Sequence, residues 1–340
     1  MATRKSKNRR MVDMEALGVS RLAALAWRGA TGGGAQEVTP AEVTAAEFDA
    51  AASSAFGAER RTRDTRTFRV PGTPGTPGTP DVTVHTTGRR PSATTVRVLR
   101  ATAMVLTSLY GPCPHAAVAV FLGDDPAVKS LPASSASPIT VHHVNSGFSQ
   151  AGRVVVFRTS EMHRTIVHEL VHVWKTHSLD RSEQQLFAHA KLGAPIACLL
   201  TEAFVEAVTW LVHGGFCPGG LSPAHSLRVA RAYLTASDDG RTNGWAYFVG
   251  RALLVADGGA RFHSAFFRTD ASGALAGVRL VSADAHRALV RVMAAAYAAL
   301  GGRGLPGAPA PGRHIALKLC DCTLGESFSQ TRDGRARIRR

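Results

Sequence analysis

A chain of 340 residues, 45% of them apolar, has room for one large domain with tails or for two small domains, and its formal charge of +15 points to anionic partners. No run of about 18 apolar residues occurs, so a membrane-spanning helix is excluded, and Asp13, Glu15 and Arg21 interrupt any secretory leader in the first 30 residues. The five cysteines, Cys113, Cys198, Cys217, Cys320 and Cys322, are odd in number and show no framework spacing; they fit a reducing compartment, cytosol or nucleus.

In chain order, residues 1–38 are basic and then glycine-rich, with a short helix expected over 14–27. Thr39, Pro40 and Glu42 read as a capped helix start running to about Gly57. Arg60, Arg61, Arg63, Arg66 and Arg69 form a basic group comparable to the clusters at the two ends, Arg4 to Arg10 and Arg332 to Arg340. Such runs attract nucleic acid or acidic protein surfaces through a salt-sensitive, sequence-blind attraction, and serve solubility or nuclear import equally well. The Pro/Gly/Thr triplets of 71–80 have nothing to bury and read as a linker. The expected organisation is a basic, partly disordered extension (1–70), the linker (71–80), a main domain (81–305) and a basic tail (306–340).

Beyond the linker, 81–87 alternates as a strand, 94–110 has helical spacing and 116–122 reads as a buried strand. A polar loop over 124–137 precedes strands at 139–148 and 154–157. Thr159 or Ser160 then caps a helix through Thr165-Ile166-Val167-His168-Glu169-Leu170-Val171-His172-Val173-Trp174. His168 and His172, four apart on a helix, aim their imidazoles at one point. One zinc ion placed there takes two nitrogens and still needs a third protein group and a water, and Glu169 is near enough to take that water's proton. A short helix over 182–193 follows, then an apolar one over 195–213 in which Glu202 and Glu206 are the only strong charges, on one face. Buried carboxylates must be paired, neutralised or metal-bound, which supports a metal site without appeal to any motif. Further helices are expected at 223–236, 243–257 and 282–300.

The segment around His168 resembles the active-site helix of zincin metallopeptidases, and Thr201-Glu202-Ala203-Phe204-Val205-Glu206 resembles the downstream glutamate helix of their gluzincin branch. The resemblance spans about residues 141–212; Thr201 stands where that branch usually has asparagine. It implies an α+β zincin-like domain with a small mixed sheet and a mainly helical C-terminal half. It also implies Glu202 as third zinc ligand, Glu206 holding His168 or His172, and Glu169 as general base in peptide-bond hydrolysis. An edge strand, here 141–149, would pair with an extended protein or peptide substrate. The oxyanion donor would be a tyrosine or histidine, for which Tyr247 and His213 are the candidates.

His189 competes with Glu202 as the third ligand, since SprT-like proteases of DNA-bound proteins use a third histidine at a similar interval, although the His-Gly pair near it is missing here. His177, five residues beyond His172, is rotated off the ligand face. Metzincins need a glycine and a histidine after the second ligand, where this chain has Lys175 and Ser178. The alternative from another class is a non-catalytic, zinc-stabilised protein whose basic tails bind nucleic acid. His142 and His143 are expected to be structural. Ala-, Arg- and Gly-rich composition points to a GC-rich genome, such as that of a large DNA virus.

Overall fold

The computed structural model describes residues 18–30, 34–38, 65–72, 78–87, 89–126, 145–174, 196–216, 267–269, 275–278, 328–330 and 336–338. The elements are α1 (Gly18–Gly29), β1 (Gln36–Glu37), β2 (Thr65–Val70), β3 (Val82–Thr87), α2 (Ala93–Tyr110), β4 (Val118–Asp125), β5 (Gly147–Gln150) and β6 (Arg153–Arg158). They continue with α3 (Met162–Trp174), α4 (Ile196–Phe216) and two hairpins, β7 (Phe267–Thr269) with β8 (Leu275–Val278) and β9 (Phe328–Gln330) with β10 (Ala336–Ile338).

Six strands form one mixed sheet in the order β1-β2-β3-β4-β6-β5. β3, β4 and β6 run parallel, and the antiparallel β2 and β5 flank them. A parallel pair needs a long crossover, and α2 supplies it between β3 and β4. Ser92 caps α2 by accepting the Thr95 N–H at 3.1 Å, and Gly111, at φ 84°, ends it with its N–H on the Thr107 carbonyl. Such a positive φ suits glycine, which has no Cβ to clash.

Val154 to Phe157 are buried without alternation, as befits a strand covered on both faces. Val118, Val120, Leu122, Val154 and Val156 share one face, and on the other Phe121, Val155 and Phe157 cluster with Ala119 and Phe148. His85 stacks on Phe121 with ring centroids 4.6 Å apart, its Nδ1 paired with Thr67 Oγ1 at 3.0 Å. Gly123 lets β4 and β6 close at a register shift, since a Cβ there would meet the Phe157 backbone at 2.8 Å. The helices pack in a chain: α1 on α2 and α4, α2 on α3, and α3 on α4, β5 and β6.

The α+β class is as expected, with helices on a mixed sheet. The organisation differs. The expected boundary at 71–80 falls between two neighbouring strands of one sheet, because β2 and β3 pair from Thr65↔Thr87 to Val70↔Val82. Gly72 backs closely onto the Thr79 carbonyl, where a Cβ would sit 2.6 Å away, and its N–H reaches Asp81 Oδ1 at 2.8 Å. The expected extension also supplies α1, which follows the helix read over 14–27, and β1. Trp27 stacks on Phe216 of α4 at 5.1 Å and lies under the Arg97 guanidinium at 4.2 Å. The expected helix at 39–57 and those at 182–193, 223–236, 243–257 and 282–300 lie outside the described residues. Among the described residues no helix is long and apolar enough to cross a membrane.

Candidate metal centre

The His helix is hung directly from the sheet. After β6 ends at Arg158, the Thr159 N–H and Oγ1 both donate to the Asp125 carbonyl, at 2.8 and 3.2 Å. Glu161 then turns the chain at φ 61°, and α3 starts at Met162. Ile166, Val167, Leu170, Val171, Val173 and Trp174 are all buried, so α3 is enclosed on most sides. Its polar groups are therefore forced into partnerships.

Those partnerships converge. His168 Nε2 lies 3.2 Å from His172 Nε2, with the rings edge-on at 70°. The Glu202 carboxylate of α4 closes the third corner with both oxygens, Oε2 3.3 Å from His168 Nε2 and Oε1 3.5 Å from His172 Nε2. A tetrahedral ion bound at 2.0–2.1 Å holds its ligand atoms about 3.3–3.4 Å apart, so this triangle of two imidazole nitrogens and a carboxylate has the size and chemistry of three zinc ligands. His168, Glu169 and His172 also place one ligand atom each within 4.8 Å of one another. Glu202 joins the same two histidines from α4.

Behind the triangle, His168 Nδ1–H donates to Glu206 Oε1 at 2.7 Å, and the other carboxylate oxygen of Glu206 is ion-paired with the Arg164 guanidinium. Both side chains of that pair are buried, Arg164 at 2% and Glu206 at 0% exposure. Burial alone would lower the His168 pKa, but its hydrogen bonds with Glu202 and Glu206 prevail and raise it to about 10. Burial likewise pushes the Glu202 carboxyl up, and the charge of His172 with the hydrogen bond to His168 pulls it down, to about 2. In the metal-free chain the two carboxylates thus favour the charged form of His168.

Glu169 is 6% exposed and packs under the start of β5. A Cβ on Gly147 would lie 2.6 Å from the Val155 carbonyl, 2.8 Å from Thr165 Cγ2 and 3.5 Å from Glu169 Cγ, so the bare backbone of glycine is what allows strand and helix to approach here. β5 is one of the two edge strands of the sheet, paired among the described residues only with β6. It begins at Gly147, later than the strand read over 139–148, and residues 141–144 with His142 and His143 lie outside the described residues.

Of the residues singled out in the sequence, the structure brings together His168, Glu169, His172, Glu202 and Glu206, and gives Glu206 to His168 rather than to His172. His213 is buried at 1% exposure, eleven residues beyond Glu202. At about 1.5 Å per residue that is about 16 Å along the helix axis, beyond the reach of an imidazole to the triangle, so His213 is not placed to donate to an oxyanion there. Tyr247, His189 and His177 lie outside the described residues. Arg164 and Gly147 escaped the sequence reading. Arg164 had one visible signal: it stands four residues before His168, on the same helical stripe as His168 and His172.

No family model and no curated protein matches the chain. Among solved structures it is similar to a two-domain M1 zinc metallopeptidase variant bound to L-arginine, with a TM-score of 0.38 and 20% identity over 73% of this chain and 54% of that one. It is also similar to an M1 zinc metallopeptidase from Deinococcus radiodurans, with a TM-score of 0.35 and 19% identity over the same shares. The chain thus spans about half the length of the structures it matches.

Proposed function

We propose that this chain is a zinc-dependent metallopeptidase with a gluzincin-like centre. The observation that carries the reading is the triangle of 3.2–3.5 Å edges made by His168, His172 and Glu202, with Glu169 beside it. His168, His172 and Glu202 would hold the metal, and Glu206 keeps His168 turned with Nε2 toward it. Bound there, zinc would supply a Lewis acid for the scissile carbonyl and a water acidified toward a pKa of about 7. Glu169 accepts the proton of the attacking water and later delivers it to the leaving amine. Among the described residues β5 is an edge of the sheet next to Glu169, so an extended polypeptide adding to it as a further strand would lie across the base.

A zinc site that only staples a fold has four protein ligands and no use for a general base. The nucleic-acid reading has no observation of its own among the described residues, where Arg66 is paired with Glu37 and Arg69 with Asp81. The test is zinc stoichiometry and hydrolysis of a quenched-fluorescence peptide library by the full chain, beside Glu169→Gln. The parent is expected to hold one zinc and cleave; Glu169→Gln should keep the zinc and lose about 100- to 10,000-fold in rate. Undiminished cleavage by that variant would sink the mechanism.

A further inference from the structure

Among the described residues Arg164 is the largest fully buried side chain, yet nothing in the proposed reaction uses it. It precedes His168 by one helical turn, so both point from the same stripe of α3 toward α4. There they share one carboxylate: Arg164 holds one oxygen of Glu206 and His168 Nδ1 the other. Glu206 is thereby clamped at both oxygens by two residues of one helix. Stability alone does not account for this arrangement, because a buried ion pair is often matched or bettered by well-packed apolar residues of similar volume. What an apolar pair cannot do is fix a carboxylate against an imidazole. With its second oxygen released, the Glu206 carboxylate would turn, and the ring it holds would no longer keep Nε2 at the apex shared with His172 and Glu202.

We propose that Arg164 is a positioning residue of the metal centre, acting through Glu206 to fix the ring of His168. The inference rests on the metal reading given above, and it adds a third layer behind His168. The guanidinium reaches Oε2 of Glu206 through Nη2, and its longer, planar head places that donor where a lysine ammonium does not. The prediction is therefore about geometry and not merely about charge.

The test uses the full-length chain with Co2+ and Zn2+ as probes: metal affinity by chelator competition, the visible ligand-field bands of the Co2+ form, and thermal unfolding without metal. Arg164→Met and Glu206→Gln should each weaken metal binding about 10- to 100-fold and alter the Co2+ bands. The double variant should be no weaker than the worse single one, because both act on the same ring. Arg164→Lys should recover only part of the affinity. A folded Arg164→Met chain with parental affinity and bands would overturn the inference, as would fully additive losses. Should Arg164→Met fail to fold, Arg164→Lys decides: weakened affinity in a folded chain upholds the role, and parental affinity overturns it. A parent chain that binds neither ion would overturn the metal reading itself, an outcome distinct from a parent that binds and an Arg164 variant that binds equally well.

Discussion

Replacing Gly147 by alanine tests how Glu169, the proposed base, is held, without touching any side chain assigned a chemical role. The new methyl would sit 2.6 Å from the Val155 carbonyl oxygen and 2.8 Å from Thr165 Cγ2. Ordinary contact begins near 3.5 Å, so strand and helix must part by roughly 0.7–0.9 Å. Neither neighbour can yield alone: one is backbone of β6, and the other is a β-branched side chain on an enclosed helix. Glu169, one turn after Thr165, moves with α3. A displacement approaching 1 Å at a reacting group costs up to about 100-fold, so kcat should fall by roughly 10- to 100-fold, and overpacking should lower stability by about 1–3 kcal/mol. His168, His172 and Glu202 sit on α3 and α4, which pack on one another, so zinc stoichiometry should be unchanged. Peptide turnover at saturating substrate, zinc content and thermal unfolding measured together decide the matter. A Gly147→Ala chain with parental kcat would refute the view that close approach of β5 sets the position of Glu169 as the proposed base.

The remaining predictions are direct. Glu202→Ala should lose bound zinc while His189→Ala keeps it, read by metal analysis of the full chain; the reverse would move the chain toward the SprT-like reading. Trp27→Ala removes the stacking on Phe216 and the guanidinium contact with Arg97, and should cost about 2 kcal/mol in urea unfolding, because α1 braces the helix that bears Glu202. For the metal-free chain, the folded His168 pKa of about 10 exceeds the unfolded value of 6.5, so its contribution is complete below pH 6.5 and is lost as pH rises through about 10. Glu202, lowered to about 2 from 4.5, contributes above pH 4.5 and loses that contribution as pH falls through about 2. Urea midpoints between pH 5 and 10 should fall at the alkaline end, and Glu202→Ala should flatten that fall.

The parts of the site that sequence could show are those set by spacing along one helix. The interval of four between His168 and His172 is a local fact, and so is the oddity of two carboxylates in the apolar 196–216 helix. Which histidine Glu206 would hold depended on how α3 crosses α4, a tertiary fact. Arg164 drew no reading, because what gives it a role is Glu206, forty-two residues later on α4. Gly147 looked like any glycine because its constraint comes from Thr165, eighteen residues later and on another element. The Pro/Gly/Thr run misled for a related reason: its composition described a chain with nothing to bury and was silent on the pairing of the strands at its two ends.

That run carries a consequence for how the protein tolerates change in its own gene. A gained or lost Pro/Gly/Thr triplet adds or removes three residues between Val70 and Val82, which face one another across β2 and β3. Lengthening the eleven-residue connection to fourteen raises its closure cost by only about 0.2 kcal/mol, and the strand register, set by Phe68 and Val84 in the core, has no reason to slip. Beyond the contacts of Gly72 with Thr79 and Asp81, copy number at this point costs the fold little, and the same position should accept an inserted epitope or label in a folded chain.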